Sequence, residues 1–166
     1  ARQQILDTWM ATGKKVSLIG WSLGGIYARE LAKMLPDAVR SVITLGTPFA
    51  GSHESTHAWR LFELTSGRDI QDAIDQFDLP SAPPVPTTSI YSRTDGVVAW
   101  PASIQAPCSR NPLTENLEVF ASHLGLGLNP SAWWALADRL SQPEGQWQHF
   151  ERRRGLQRLI FPDPRR

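Results

Sequence analysis

Two rhythms of apolar and polar residues alternate along the chain. In the first twelve residues Ile5, Leu6, Trp9 and Met10 fall in pairs four apart, which gives a helix one apolar stripe. Beyond Gly13, KKVSLIG is a short apolar run rich in branched side chains, the pattern of a buried strand, and it ends in the turn GWS. LGGIYARELAKMLP returns to helical spacing. Gly24, Ala28, Leu31 and Leu35 share one face, Arg29, Glu30 and Lys33 fall elsewhere, and Pro36 stops the helix. VRSVITLG then reads as a second buried strand. Strand, helix and strand in this order form a βαβ unit, which requires parallel strands and a right-handed crossover.

From residue 46 to residue 86 the pattern loosens. A Pro, Gly and Ser start leads into two short helical stretches, near residues 55–66 and 69–77, and then into the proline-rich PSAPPVP. Strand periodicity resumes at once in TTSIYS, so the stretch at about 49–80 reads as an excursion over the sheet edge and not as a linker. RTDGVVAW follows this third strand. A fourth, ENLEVF, runs into ASHLGLGLNP, and Asn129 or Ser131 is placed to cap the helix AWWALADRL.

At 166 residues, with 41% hydrophobic and 20% charged residues, the composition is that of one soluble globular domain. Residues 1–150 make up that domain and 151–166 a basic tail. No apolar run approaches the roughly 18 residues that a membrane-spanning helix needs, and residues 1–13 lack the pattern of a secretion signal. The single cysteine, Cys108, has no partner for an internal disulfide and sits in no metal-ligand spacing, which is compatible with a reducing, cytoplasmic compartment. The formal net charge of +1 conceals an uneven distribution: Arg152, Arg153, Arg154, Arg158, Arg165 and Arg166 stand in the tail against Glu151 and Asp163. Without interleaved aromatics, the tail reads as a solvated end and not as a nucleic-acid contact.

Two strings compete for the chemistry. HESTH, residues 53–57, matches the H-E-x-x-H pattern that sets two imidazoles one helical turn apart for zinc. Ser55 and Thr56 are mediocre helix formers, however, and Arg60 and Glu63 stand where the extended zinc motif needs glycine and histidine. No third ligand is singled out, Asp72 and Asp75 being equally placed, and the motif reads as a surface helix without metal. The other string, GWSLGG, contains G-x-S-x-G between a strand and a helix. That is the place where small neighbours let a serine occupy a tight turn with its hydroxyl in the open, and where the absent side chains of Gly24 and Gly25 allow the helix to pack closely against the sheet.

A serine hydroxyl is a poor nucleophile at neutral pH and needs a base, itself oriented by an acid. Of the four histidines, His123 alone directly follows a strand and precedes a glycine-rich turn, whereas His149 lies beyond the last good helix. Asp95 follows TTSIYS within the turn RTDG, where a parallel sheet presents residues at its carboxyl edge. Asp69, Asp72, Asp75 and Asp78 fall in the excursion. Ser22, Asp95 and His123, each at the end of a separate strand, are therefore the expected catalytic set.

GWSLGG, TLGTPFAG, YSRTDGVV and ASHLGLG, in this order, resemble the second half of the α/β-hydrolase fold, among its bacterial lipase and esterase-like members. The resemblance spans roughly residues 1–140. It implies an α/β fold with a mostly parallel sheet and flanking helices, the four strands here being strands five to eight. It further implies Ser22 as nucleophile, Asp95 as acid and His123 as base, in the chain order Ser, Asp, His that also excludes His53 and His57. The oxyanion would be held by the N–H of Leu23 and by a second donor from a loop after an earlier strand. Strands one to four are not in this sequence, so a longer enzyme is expected, with on the order of a hundred further residues at about 30 per βα unit. Trp21 and Trp100 are candidates for the wall of an apolar acyl or alcohol pocket, or else plain core. The resemblance implies no metal or organic cofactor, a small-molecule or lipid ester as partner, and no nucleic acid. An acyltransferase on the same triad and a non-catalytic binding protein of the same fold remain alternatives.

Overall fold

The computed structural model describes residues 1–50, 78–107, 111–152 and 155–162. HESTH, both short helical stretches of the excursion, Asp69, Asp72, Asp75 and Cys108 lie outside them. The elements are α1 (Arg2–Thr12), β1 (Val16–Trp21), α2 (Leu23–Met34), β2 (Val39–Leu45), β3 (Thr87–Tyr91), β4 (Thr114–Glu118), α3 (Pro130–Ser141) and α4 (Gln157–Ile160). Short 3₁₀ helices cover Trp100–Ser103 and Leu124–Leu128. All four strands are parallel in the order β1-β2-β3-β4, as the βαβ reading requires. Parallel strands sharing one direction bring their carboxyl ends, and the turns that follow them, to a single edge of the sheet.

Each face of the sheet carries its own core. On one side Ile5 of α1 and Ala28 and Ala32 of α2 pack with Ala38, Val39, Val42 and Val85. On the other, Ile43, Leu45, Ile90, Leu117 and Val119 meet Ala132 and Ala135 of α3. The register between β1 and β2 shifts so that Val16 pairs with Val39 and Ser17 with Ser41. Arg40 is thus the extra residue of a bulge. Its guanidinium reaches Ser17 Oγ and the carbonyls of Leu140 and Gln142, tying the end of α3 to the sheet. Asn129 caps α3 by accepting from the N–H groups of Ser131 and Ala132, with Pro130 in the first turn where no N–H is needed.

Three expectations from the pattern need correction. Arg29 and Glu30, placed away from the apolar face of α2, are both buried. The tail is not wholly solvated: Phe161 is buried and packs edge-on against Phe150, their ring centroids 4.6 Å apart. Gly24 has open space beside it, and the close approach belongs to Gly20 and Gly25. A Cβ at Gly20 would strike the backbone of Gly24 and Gly25, and one at Gly25 would strike Thr47. Among the described residues, no helix is long and apolar enough to cross a membrane.

Candidate active site

Between β1 and α2 the chain reverses over one residue. Ser22 has φ 53° and ψ −126°, the only positive φ among the described non-glycine residues. Such a backbone costs of order 1–3 kcal/mol and persists only where its surroundings enforce it. Here they do. The Ser22 N–H donates to the carbonyl of Leu45 at 2.8 Å, fastening the turn to β2, and Gly20 and Gly25 let α2 lie directly on the strand. The turn leaves Leu23 at the start of α2, where the first N–H groups have no intrahelical acceptor and carry the positive end of the helix dipole.

The loop after β3 is organised around two side chains. Ser92 Oγ accepts from the N–H groups of Thr94 and Ala121, both at 3.1 Å, which joins it to the loop after β4. Asp95 Oδ1 accepts from the N–H groups of Val97 at 3.0 Å and Val98 at 2.6 Å. This fixes the carboxylate with Oδ2 facing His123 Nδ1 at 2.8 Å. The pairing is reinforced by the backbone, since the His123 N–H donates to the Asp95 carbonyl at 2.8 Å. Both side chains are buried. A carboxylate only accepts, so Nδ1 carries the proton and Nε2 presents its lone pair. Nε2 lies 2.9 Å from Ser22 Oγ. Ser22, Asp95 and His123, which the sequence spreads over more than a hundred positions, thus meet in one hydrogen-bonded row.

Sequence reasoning missed several groups that hold this row. Gly46, read only as the end of a strand, has φ +53° and backs onto the pair: a Cβ there would lie 2.9 Å from Asp95 Oδ2 and 3.2 Å from His123 Nδ1. Glycine after an apolar strand was the available signal. Trp21, expected in a pocket wall or in the core, is 43% exposed and donates its indole N–H to the His123 carbonyl at 3.1 Å. Its ring lies 5.4 Å from the imidazole. Trp100 is part-exposed too, stacked on Tyr91 at 6.2 Å with the Arg93 guanidinium 5.0 Å above it. Burial, followed by the charge of Glu118 and the hydrogen bond to it, pushes the Tyr91 phenol up. Leu23, one residue beyond the serine, opens α2. Among the described residues, no cluster of three or more His, Cys, Asp or Glu side chains is placed to hold a metal.

A parallel sheet with flanking helices, and a serine, an aspartate and a histidine that follow its first, third and fourth strands, define a class of hydrolase folds. The family model for the alpha/beta hydrolase fold matches residues 11–94, and the chain belongs to that family. Over 50 residues it is 48% identical to a triacylglycerol lipase of Pseudarthrobacter phenanthrenivorans, a match covering 30% of this chain and 15% of that one. A triacylglycerol lipase of Burkholderia plantarii matches at the same identity over 50 residues, 30% of this chain and 13% of the lipase. The chain therefore spans a small part of the curated relatives it matches. Among solved structures, an esterase of Pyrococcus furiosus superposes with a TM-score of 0.55 at 16% identity, covering 81% of this chain and 56% of the esterase. That likeness is one of fold.

Proposed function

We propose that this chain carries the reacting residues of a serine hydrolase that cleaves carboxylic esters. The observation that carries the reading is the unbroken path from Ser22 Oγ through both ring nitrogens of His123 to Asp95 Oδ2. Ser22 Oγ attacks the acyl carbon while His123 Nε2 takes its proton. Asp95 holds the imidazole in the required tautomer and stabilises the imidazolium that forms. The carbonyl oxygen becomes an oxyanion, for which the Leu23 N–H at the head of α2 is one donor. His123 returns the proton to the departing alkoxide, leaving an acyl ester on Ser22 and free alcohol. Water then attacks that ester with His123 again as base, and the acid departs as Ser22 recovers its proton.

Esters as substrates are supported by the names of the lipases that a stretch of the chain resembles, and by the alpha/beta hydrolase family match over residues 11–94. The test is labelling of the purified protein with a fluorophosphonate, located by mass spectrometry, alongside release of p-nitrophenol from p-nitrophenyl acetate. Adduct on Ser22 and turnover that disappears in Ser22→Ala are expected. Asp95→Asn should lower kcat by about 10³-fold or more, because the amide leaves the imidazole in the wrong tautomer. Labelling elsewhere, or turnover that survives Ser22→Ala, overturns the proposal.

A further inference from the structure

α2 carries a second buried feature, two helical turns beyond Ser22. Arg29 has no measurable exposure. Its Nη2 donates to the carbonyls of Leu79 at 3.2 Å and Ser81 at 3.0 Å and to Gln105 Oε1 at 2.8 Å. Among the described residues, Nε and Nη1 are buried without a hydrogen-bond partner, and no acidic side chain bonds the guanidinium. Its face covers the Phe49 ring, 3.7 Å from the centroid. Gln105 continues the net, donating to the carbonyls of Pro80 and Ala106 and pairing its backbone with the Asn116 amide.

Filling space does not explain this residue. A buried cation with two unpaired donors costs free energy that a methionine or leucine of similar volume avoids. The desolvation is large enough to bring its pKa down to about 10. What arginine adds is a rigid plane that binds a ring on its face and three acceptors on its edge at the same time, which neither lysine nor an apolar side chain does.

The ring it holds ends a short, tightly threaded segment, residues 46–49. At its start Gly46 lies against the Asp95 carboxylate and the His123 ring. In its middle Thr47 is pressed on Gly25 in the first turn of α2. At its end Phe49 lies beneath Arg29, and the next N–H, of Ala50, donates to the Ala102 carbonyl at 2.8 Å. The segment thus runs between the helix that bears Ser22 and the acid–base pair that must face it, touching both.

We propose that Arg29 is a positioning residue for the reaction: by clamping Phe49 it sets the path of residues 46–49, and through Gly46 the alignment of Asp95 and His123 with Ser22. This rests on the serine-hydrolase reading above. Arg29 touches no reacting atom, so its effect is exerted through geometry alone.

The test compares Arg29→Lys and Phe49→Leu with the unaltered protein in three measurements: second-order labelling of Ser22 by a small fluorophosphonate, kcat and KM on p-nitrophenyl acetate, and the low-field proton resonance of the His123 Nδ1–H. Loss of alignment by a fraction of an ångström should slow labelling and kcat by roughly ten- to a hundredfold with KM nearly unchanged, and should shift or broaden the resonance. A merely structural Arg29 would lower the melting temperature and leave all three readings of the folded protein intact, which overturns the proposal. Should Arg29→Lys fail to fold, Phe49→Leu decides, since it removes the clamped ring and leaves every hydrogen bond of the guanidinium in place. If the unaltered protein does not label at Ser22, the hydrolase reading itself fails, and the unmutated arm identifies that outcome.

Discussion

Replacing Gly46 by alanine puts a methyl group into the back of the Asp95–His123 pair. The Cβ would stand 2.7 Å from Leu126 Cδ1, 2.9 Å from Asp95 Oδ2 and 3.2 Å from His123 Nδ1, so at least two neighbours must move. Forcing an extra methyl into a packed site costs about 1–3 kcal/mol. The left-handed backbone adds about 1–2 kcal/mol for a residue with a Cβ. Gly13→Ala isolates the second contribution, because Gly13 has φ +65° and nothing within 4 Å of its would-be Cβ. The difference between the two variants is therefore the steric part, about 1–3 kcal/mol, or several degrees in Tm at about 2–4 °C per kcal/mol for a chain of this size. Urea unfolding of both variants measures it. Turnover on a soluble ester should fall by up to about a hundredfold in Gly46→Ala and hold in Gly13→Ala, because only the first displaces the acid–base pair. Equal stability losses, or full activity in Gly46→Ala, would refute the reasoning.

The strained backbone at Ser22 predicts a trade of activity for stability. Ser22→Gly abolishes ester turnover and raises unfolding free energy by about 1 kcal/mol in urea titration, strain of order 1–3 kcal/mol being relieved against about 0.5–1 for the freer unfolded chain. Tyr91 governs an alkaline transition. Its phenol is pushed above the ordinary value of 10.0, so above that pH the unfolded chain loses a proton that the folded protein keeps. Stability therefore falls as pH rises past 10, and urea midpoints on either side should show a slope that Tyr91→Phe removes. Asn129→Ala deprives α3 of its cap and Phe120 of a donor to its carbonyl, and should lower stability by about 1 kcal/mol or somewhat more in the same titration.

Much of this molecule is legible in one dimension because the signals involved are local. Alternation and spacing give α1, β1, α2, β2, β3, β4 and α3 to within a few residues, since an element's period depends on its own neighbours. The strand ends that bring Ser22, Asp95 and His123 to one edge follow from parallel order, and the G-x-S-x-G string marks the turn, because a helix doubled back on its strand leaves no room for a side chain at Gly20. Partnership across the fold is not local. Helical spacing puts Arg29 and Glu30 off the apolar face of α2, yet both are buried, Arg29 beneath Leu79, Ser81, Gln105 and Phe49, which the fold brings against it. Gly46 looks like any strand-ending glycine until the loops after β3 and β4 are stacked against it. Trp21 becomes a donor to His123, and Phe161 joins a core that holds Ile43, Ile90 and Leu117, because chain far along the sequence comes to rest beside them. Periodicity reports which side of an element is apolar, whereas burial and hydrogen bonding depend on what the fold sets opposite it, and for these residues that neighbour lies tens to more than a hundred positions away.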